Sequence, residues 1–258
     1  MTVAGLVVTE NDGVLTLRFD RPEVFNALTG EMVTAAAEQL ERAASRDDVR
    51  VVVLTGTGPA FSTGADIGGA DAHERFDVRA LDAANRLVRA ITSCDKPVVA
   101  GVNGVAAGVG LSAALACDLN VATASASFLL AFARVGLMPD GGAAATVAAS
   151  IGRARTMRMA LLAEPLPASD AYAAGLISHC VADEEYADTL AGVVRRLRQG
   201  APLGIAATKR SVNAASLPQL EEALEYERTT QTMLLRTADV AEGMAAFSEK
   251  RRPRFTGA

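Results

Sequence analysis

The sequence predicts an α/β fold organised around a parallel sheet. Short uncharged runs at residues 51–54 and 97–102 are typical of strands that are buried on both faces. Segments with apolar residues at helical spacing alternate with them, at residues 29–45 and 81–91. Half of the 258 residues are hydrophobic and 21% are charged, so the chain is long and apolar enough to bury a sizeable core.

The first elements are a hairpin, a helix and a strand. Residues 5–9 and 14–20 are alternating or apolar around "ENDG", which predicts a β-hairpin. The segment "LTGEMVTAAAEQLERAAS" places its apolar residues on one helical face. The run "VRVVVLTG" that follows is bounded by Arg50 and Gly56 and predicts a buried parallel strand.

The pattern then repeats. A helix is predicted at 81–91, a buried strand in "KPVVAGVNG", a helix at 108–117 and a strand in "LNVAT". From about Ser150 onward the signals are helical, most clearly in "LPQLEEALEYERTTQTMLL". The chain is therefore predicted to have an α/β core at residues 1–200 and a helical C-terminal region at 201–258.

Composition excludes several classes of protein. The net charge of −5 lacks the basic footprint expected of a nucleic-acid-binding protein. Cys94, Cys117 and Cys180 are widely spaced and form no C-x-x-C motif, which predicts reduced thiols of a cytoplasmic protein rather than a disulfide framework or a zinc site. The N-terminus has no basic region, so a signal peptide is not expected.

The uncharged run at residues 97–117 is long enough to span a bilayer. However, it contains Pro97, four glycines and an Asn103-Gly104 turn signal, and only two leucines. The run is better interpreted as a buried strand, a turn and a buried helix, and no membrane partner is expected.

Within this run, residues 108–113 match the pattern G-x-G-x-x-[GA] of dinucleotide sites. A dinucleotide fold needs the first glycine directly after the first strand and an acidic residue about 20 positions further on. Here the strand is predicted to end near Val102, and residues 119–139 contain no Asp or Glu. NAD or FAD binding is therefore rejected.

The glycines still allow close approach to a ligand, and a helix starting near Val109 offers unpaired amide N–H groups. Such an end suits a phosphate, or an oxygen that becomes negative during a reaction. The alternative is a tight packing turn with no ligand. The loop "GPAFSTGADI" (residues 58–67) follows a neighbouring strand and presents backbone N–H groups in the same way, and two such groups aimed at one point would form an oxyanion hole.

These loops, taken with other motifs, resemble the enoyl-CoA hydratase/isomerase (crotonase) superfamily. The stretches that carry the resemblance are "RPEVFNAL", "FSTGADI", "KPVVAGVNGVAAGVGLSAALACDL", "VGLMPDGGAAATVAASIG" and "EGMAAFSEKRRPRF", in the order and spacing of that family. The resemblance implies a superhelical stack of ββα units with a helical C-terminal trimerisation region. It also implies a homotrimer or a dimer of trimers, and an acyl-CoA thioester as substrate.

The resemblance assigns the oxyanion-hole amides to Ala65 and Val109, where most members have glycine in place of the valine. It places bound CoA and acyl groups against several further residues, with CoA entering as part of the substrate and no metal or other cofactor. These residues are Glu23, Val24, Phe25, Ala65, Asp66, Ile67, Gly108, Ser112, Phe132 and Lys250. The acyl pocket is expected to be lined from residues 68–80.

Hydratases of this family use two glutamates, and the resemblance places Ser112 and Phe132 at those two positions. Neither can act as a carboxylate base, so simple water addition is not expected. Ser112 as a nucleophile is a poor alternative because there is no G-x-S-x-G elbow. The two histidines, His73 and His179, are expected on the surface or in the core.

Asp140 corresponds to the acidic position that isomerase-like members use as a single base. Two roles remain open for it, because Asp before "GGAAATVAAS" is also a good helix N-cap, which would lower its pKa. An apolar pocket would raise that pKa instead, and Phe61, Leu130, Phe132 and Met138 are candidate walls. The expected activity is double-bond isomerisation of an enoyl-CoA; the alternatives are a hydratase or thioester hydrolase with atypical groups, or a non-catalytic acyl-CoA-binding protein.

Overall fold

The computed structural model describes residues 3–68 and 76–258, and within these residues the strands form two sheets. The larger sheet has the strand order β1-β2-β3-β5-β7-β10 and the smaller one the order β4-β6-β8-β9. The strands are β1 (Leu6–Asn11), β2 (Val14–Phe19), β3 (Val51–Gly56), β4 (Ala60–Ser62), β5 (Val98–Val102), β6 (Val105–Ala107), β7 (Leu119–Thr123), β8 (Ser127–Leu129), β9 (Leu166–Pro167) and β10 (His179–Val181).

The predicted hairpin and parallel sheet are both present. β1 and β2 pair antiparallel, with Leu6 opposite Phe19 and Asn11 opposite Val14. From β2 onward the neighbours in the larger sheet pair parallel. In the smaller sheet β4, β6 and β8 are parallel, and β9 closes the edge antiparallel to β8.

Helices follow the strand pairs in a regular order. They are α1 (Gly30–Ala44), α2 (Val78–Ser93), α3 (Gly108–Ala116), α4 (Ala143–Leu162), α5 (Ala168–Ala174), α6 (Tyr186–Gln199), α7 (Pro202–Ser216), α8 (Leu220–Leu234) and α9 (Ala238–Ser248). The units β3-β4-α2, β5-β6-α3 and β7-β8-α4 each place one strand in the larger sheet and one in the smaller. The stack of ββα units implied by the family resemblance is therefore confirmed.

Side-chain alternation explains why the central strands are apolar throughout. In β3, Val52 and Leu54 face the main core, which also contains the apolar face of α1. Val51 faces the other side of the sheet and packs, with its neighbours on β5 and β7, against α6. Because helices cover both faces, a strand in this position has no polar face to show in its sequence.

Helix α3 is almost entirely buried, which accounts for its small side chains. A Cβ atom added at Gly110 would lie 2.7 Å from the Ser62 side chain on β4, so only glycine permits this approach. The uncharged run that could have spanned a bilayer folds as β5, β6 and α3. Within the described residues, no helix has both the length and the apolar character needed to cross a membrane.

The structure differs from the sequence prediction in several regions. Residues 60–62, interpreted as part of a loop, form strand β4, and residues 127–129 form strand β8. Residues 105–107, interpreted as part of a turn, form strand β6, so α3 does follow a strand directly, but one of the smaller sheet. The part beyond residue 150 is not purely helical, because β9 and β10 pair with β8 and β7. Such two- and three-residue strands are too short to produce a periodic signal in the sequence.

The C-terminal region is helical as predicted, and its three helices pack against the α/β part. Helix α8 contacts α2 and α4, and α9 contacts the 3₁₀ turn at Ala131–Val135. A Cβ added at Gly243 of α9 would lie 2.7 Å from the Val135 backbone, which shows how closely the two approach. The boundary at residues 200 and 201 stays a prediction.

Candidate active site

Two glycine-containing loops that follow β4 and β6 lie in direct contact. Gly64 has a φ of +95°, and a Cβ atom at this position would lie 2.9 Å from the Ala107 carbonyl oxygen and 3.3 Å from the Val109 amide nitrogen. Gly108 also has a positive φ, of +52°. The left-handed conformation of both glycines and the short distance between them require residues without side chains here.

Each predicted oxyanion-hole amide lies on one of these loops. Leu28 N–H donates to the Gly64 carbonyl (2.8 Å) and Asp66 N–H donates to the Leu28 carbonyl (3.0 Å), so the N–H of Ala65 between them points away from Leu28. Val109 lies in the first turn of α3, where amides have no intrahelical acceptor. The geometry suits a pair of donors, strengthened at Val109 by the helix dipole.

The loop that carries Ala65 is held by charged and polar contacts. Arg21 donates from Nη1 to Asp66 Oδ2 (2.9 Å) and to the Ala27 carbonyl (2.8 Å). The fully buried Asn26 donates from Nδ2 to the carbonyls of Thr57 and Ala60. These bonds fix the backbone on both sides of the loop, so Asp66 is engaged in supporting the loop.

The segment predicted to hold CoA lies beside the same loop. Glu23, Val24 and Phe25 are exposed around a 3₁₀ turn, and Thr63 N–H donates to the Phe25 carbonyl (3.1 Å). The large apolar side chains of Val24 and Phe25 thus face solvent next to the loop that carries Ala65. An exposed apolar edge of this kind is a suitable contact for a ligand.

Asp140 is buried near the first turns of α3. It is 9% exposed, and its Oδ1 atom is buried without a hydrogen-bond partner in the described part of the chain. Its Oδ2 atom accepts a hydrogen bond from Nε2 of Gln231 (3.0 Å) on α8. Ser112 Oγ donates to the Asp140 carbonyl oxygen (2.7 Å) and to that of Gly108 (3.3 Å), which joins Asp140 to the helix that carries Val109.

Of the two roles left open for Asp140, the structure excludes the helix cap. Helix α4 begins at Ala143, and the first N–H groups around its start are bonded instead to Glu227 of α8, from Gly142 (2.7 Å) and Ala144 (3.4 Å). The capping carboxylate therefore comes from the C-terminal region. This leaves the carboxylate of Asp140 free of the role that would have lowered its pKa.

Both buried carboxyls have raised pKa values. Burial raises the pKa of Asp140 to about 6, opposed by the hydrogen bond from Gln231. Burial raises the pKa of Glu227 to about 7, opposed by the bond from Gly142 and increased by the charge of Asp140. A pKa near 6 leaves Asp140 ionised at neutral pH and basic enough to accept a proton.

The two positions that the family resemblance equates with the glutamates of hydratases hold uncharged side chains in a buried setting. Ser112 is fully buried in α3, and Phe132 is almost fully buried in the 3₁₀ turn at Ala131–Val135. Of the expected pocket walls, Phe61 lies in the main core and packs edge-on against Phe19, with ring centroids 5.6 Å apart. It is therefore explained by core packing.

Two of the residues predicted to contact the CoA or acyl group lie near α9. Ile67 packs against Val240 and Met244 of this helix. Lys250 is exposed just beyond the end of α9, with a φ of +55°. The stretch 68–80 expected to line the acyl pocket includes residues 69–75, which lie outside the described residues, as does His73.

The sequence prediction missed Glu227 and Gln231. Both lie on the stripe of α8 that contains Leu220 and Leu224, at intervals of three or four residues, and both are 1% exposed. A carboxyl and an amide on the apolar face of an amphipathic helix were the signal that could have identified them. Among the described residues, no group of three His, Cys, Asp or Glu side chains is placed to hold a metal ion.

Comparisons with known proteins extend over nearly the whole chain. The family model for enoyl-CoA hydratase/isomerase matches residues 9–258. The chain is 38% identical over 250 residues to 1,2-epoxyphenylacetyl-CoA isomerase of Escherichia coli (strain K12), covering 95% of each. It is 40% identical over 248 residues to a probable enoyl-CoA hydratase of Rhodobacter capsulatus, covering 96% of each. The crystal structure of an enoyl-CoA hydratase from Mycobacterium avium subsp. paratuberculosis K-10 is 45% identical, with a TM-score of 0.94, covering 99% of this chain and 100% of that one.

Proposed function

The chain belongs to the enoyl-CoA hydratase/isomerase family of acyl-CoA enzymes, and from this premise we propose that it moves a double bond within an enoyl-CoA. The observation that carries the proposal is Asp140, a buried carboxylate with a pKa raised to about 6 and one oxygen that has no hydrogen-bond partner among the described residues. It lies beside α3, whose first turn presents the Val109 amide.

In the proposed reaction the thioester oxygen accepts hydrogen bonds from the amides of Ala65 and Val109. Asp140 takes a proton from C2 of a 3-enoyl-CoA, and the electron pair of the broken C–H bond delocalises into a dienolate. The negative charge of the dienolate rests on the thioester oxygen, where the two N–H groups stabilise it. Protonated Asp140 then returns the proton at C4, which yields the 2-enoyl-CoA and regenerates the carboxylate.

Isomerisation is favoured over hydration by the side chains beside Asp140. Addition of water in this family uses two carboxylates, and Ser112 and Phe132 occupy both of those positions. Glu227 is the other buried carboxyl nearby, but its two oxygens accept bonds from Gly142 and Ala144. A one-base proton shuttle needs only the carboxylate that remains available.

No metal or redox cofactor is required by this proposal, because the proton shift within the substrate is neither an oxidation nor a reduction. CoA is proposed to bind along residues 23–25 and 65–67, with Lys250 contributing from the C-terminal region. A homotrimer or a dimer of trimers is proposed as the assembly, since a single chain exposes large apolar side chains such as Leu161, Leu203 and Tyr226. Sedimentation equilibrium should give three or six times the 26.6 kDa of one chain.

The test compares wild type with Asp140→Asn and Glu227→Gln on trans-3-hexenoyl-CoA and trans-2-hexenoyl-CoA. Loss of the base in Asp140→Asn should lower the isomerisation kcat about 10²- to 10⁴-fold. Glu227→Gln should cost less than about tenfold, because the amide oxygen can still accept one backbone bond.

Undiminished isomerisation in Asp140→Asn would exclude Asp140 as the base. Hydration of the 2-enoyl-CoA without isomerisation would identify a hydratase, and release of free CoA a thioester hydrolase. Binding of hexenoyl-CoA without any turnover would identify an acyl-CoA-binding protein.

A further inference from the structure

Helix α8 brings two polar side chains, one turn apart, to the same backbone turn. Glu227 contacts the amides of Gly142 and Ala144, and Gln231 contacts Met138 and Asp140. Both side chains are 1% exposed, so neither is a surface residue that happens to lie close. The segment 138–144, which contains Asp140, is therefore held from one side by a single helix.

The orientation of the Gln231 carboxamide is fixed by the backbone of Met138. Oε1 of Gln231 accepts from the Met138 N–H (3.1 Å), and Nε2 donates to the Met138 carbonyl (2.9 Å). A backbone N–H only donates and a carbonyl only accepts, so the amide has one possible orientation. Its remaining N–H is directed at Asp140 Oδ2, 3.0 Å away.

The two oxygens of Asp140 are thereby made unequal. Oδ2 is bonded to a side chain that cannot rotate without breaking two further hydrogen bonds. Oδ1 is buried and has no partner in the part of the chain that the structure describes. An unsatisfied buried carboxylate oxygen is costly, and a catalytic role is one explanation for such a group in a native protein.

We propose that Gln231 is a positioning residue for the base: it holds Oδ2 of Asp140 so that Oδ1 is the oxygen that receives the substrate proton. This inference rests on the proposed isomerase function. A donor fixed on one oxygen also stabilises the ionised carboxylate, so Gln231 sets the pH at which the base becomes available.

The charged groups around Asp140 determine how its pKa responds when Gln231 is replaced. The titratable neighbour on α8 is Glu227, and the negative charges of the two carboxylates repel each other. From α2 and α3, Val88 and Ser112 lie next to Gly141, and neither carries a charge. Because the hydrogen bond from Gln231 lowers the pKa of Asp140, its removal should raise that pKa and move the acid limb of the activity profile to higher pH.

The experiment measures the pH dependence of kcat/KM on trans-3-hexenoyl-CoA for wild type, Gln231→Leu and Gln231→Glu. Leucine is of similar size but removes the donor, and glutamate places a second buried carboxyl against Asp140, so that the two groups compete for one proton. Both variants should move the acid limb up by about one pH unit and lower kcat near pH 6 about fivefold, with KM changed less than twofold. Gln231→Glu keeps the shape of the side chain, so it remains informative if Gln231→Leu fails to fold.

Asn85→Leu is the matched control. Asn85 is another buried amide, on α2, and it anchors the same helix α8 through the Leu224 carbonyl (3.2 Å) without bonding to Asp140. It should leave the acid limb in place. An acid limb unmoved in both Gln231 variants, or moved equally by Asn85→Leu, would contradict the inference.

A second measurement separates this inference from the proposed function. Titration of the Asp140 carboxyl carbon by ¹³C NMR, with the signal assigned by its loss in Asp140→Asn, does not depend on turnover. An upward shift in Gln231→Leu supports the positioning role, and an unchanged titration overturns it. If wild type does not isomerise hexenoyl-CoA, the proposed function fails, and the NMR titration still decides whether Gln231 controls Asp140.

Discussion

Asp140 shows how the surroundings of one side chain decide its chemistry. The same residue before a glycine pair would be a helix cap with a lowered pKa if its oxygens met the amides of α4. Those amides are instead bonded to Glu227, and among the described residues the Asp140 carboxylate has a single hydrogen bond, from Gln231. Burial then dominates, and the carboxyl becomes a weaker acid.

The first prediction concerns stability and pH at this residue. The pKa of Asp140 is raised from 3.8 to about 6 in the folded state, so its ionisation opposes folding. This penalty is absent below about pH 4 and complete above pH 6, where it reaches about 1–3 kcal/mol. Asp140→Asn should therefore be more stable than wild type at pH 8, measured by urea denaturation. The difference should shrink towards pH 4, and a constant difference at all pH values would contradict it.

A second prediction at the residue scale concerns Ser112. Its hydroxyl donates to the Asp140 carbonyl in a fully buried position. Ser112→Ala should cost about 1–2 kcal/mol of unfolding free energy, because a buried acceptor loses its partner, and should lower kcat through the displaced Asp140 backbone. Ser150→Ala removes a hydroxyl bond to a backbone carbonyl on α4, made by an exposed side chain, and should leave kcat unchanged. Equal kcat values for the two variants would show that Ser112 only fills space.

At the scale of elements, the predicted oxyanion hole depends on two loops that touch through glycine. Strands β4 and β6 are parallel neighbours, so the loops beyond them emerge at the same edge of the smaller sheet. Gly64 then allows the chain to approach the first turn of α3 closely. The loops that carry Ala65 and Val109 therefore meet because β4 pairs with β6 and because Gly64 has no side chain.

The prediction at this scale is that Gly64→Ala disables catalysis. The added Cβ would lie 2.9 Å from the Ala107 carbonyl, at a φ of +95° that side chains disfavour. Separating the loops should remove at least one amide from the thioester oxygen and lower kcat about 10²- to 10³-fold. Gly30→Ala at the start of α1 is the control, since its Cβ meets nothing within 4 Å. Steady-state kinetics with circular dichroism as a folding check would measure both, and an active Gly64→Ala would refute the proposed hole.

At the scale of the whole molecule, the C-terminal helices contribute buried side chains next to Asp140. Helix α8 supplies Glu227 and Gln231, and α7 is tied to the α/β part through Lys209. The Lys209 ammonium donates to Asp118 (2.8 Å) and to the Ile91 carbonyl (2.8 Å), and Asp118 accepts from the Val98 N–H at the start of β5. Residues 201–258 are therefore joined to the rest by buried polar contacts as well as by apolar packing.

We expect the chain to unfold in a single transition. We also expect Lys209→Met to lower the free energy of unfolding of the whole chain. Removing the lysine leaves the Asp118 carboxylate buried without its cation, which should cost about 3–5 kcal/mol. Arg210→Met on the same helix removes an exposed ion pair with Asp95 and should cost less than about 1 kcal/mol. Urea denaturation followed by far-ultraviolet circular dichroism measures both. Separate transitions for the two regions would contradict the coupling.

The sequence by itself determined the order of the main elements, the parallel sheet and the two loops that carry Ala65 and Val109. These features are local, because apolar periodicity and glycine spacing act over a few residues. For Asp140 the residues alone left two roles open, a helix cap or a base, and the choice of the base came from the family resemblance.

Only the tertiary structure decided which hydrogen bonds the carboxylate oxygens of Asp140 make. Glu227 and Gln231 lie about 90 residues further along the chain, and no local pattern links them to the turn at 138–144. The short strands β4, β6, β8, β9 and β10 were missed for the same reason, since each is specified by its partner strand rather than by its own sequence. The acidity of a buried group depends on which distant side chains reach it, and folding alone brings those together.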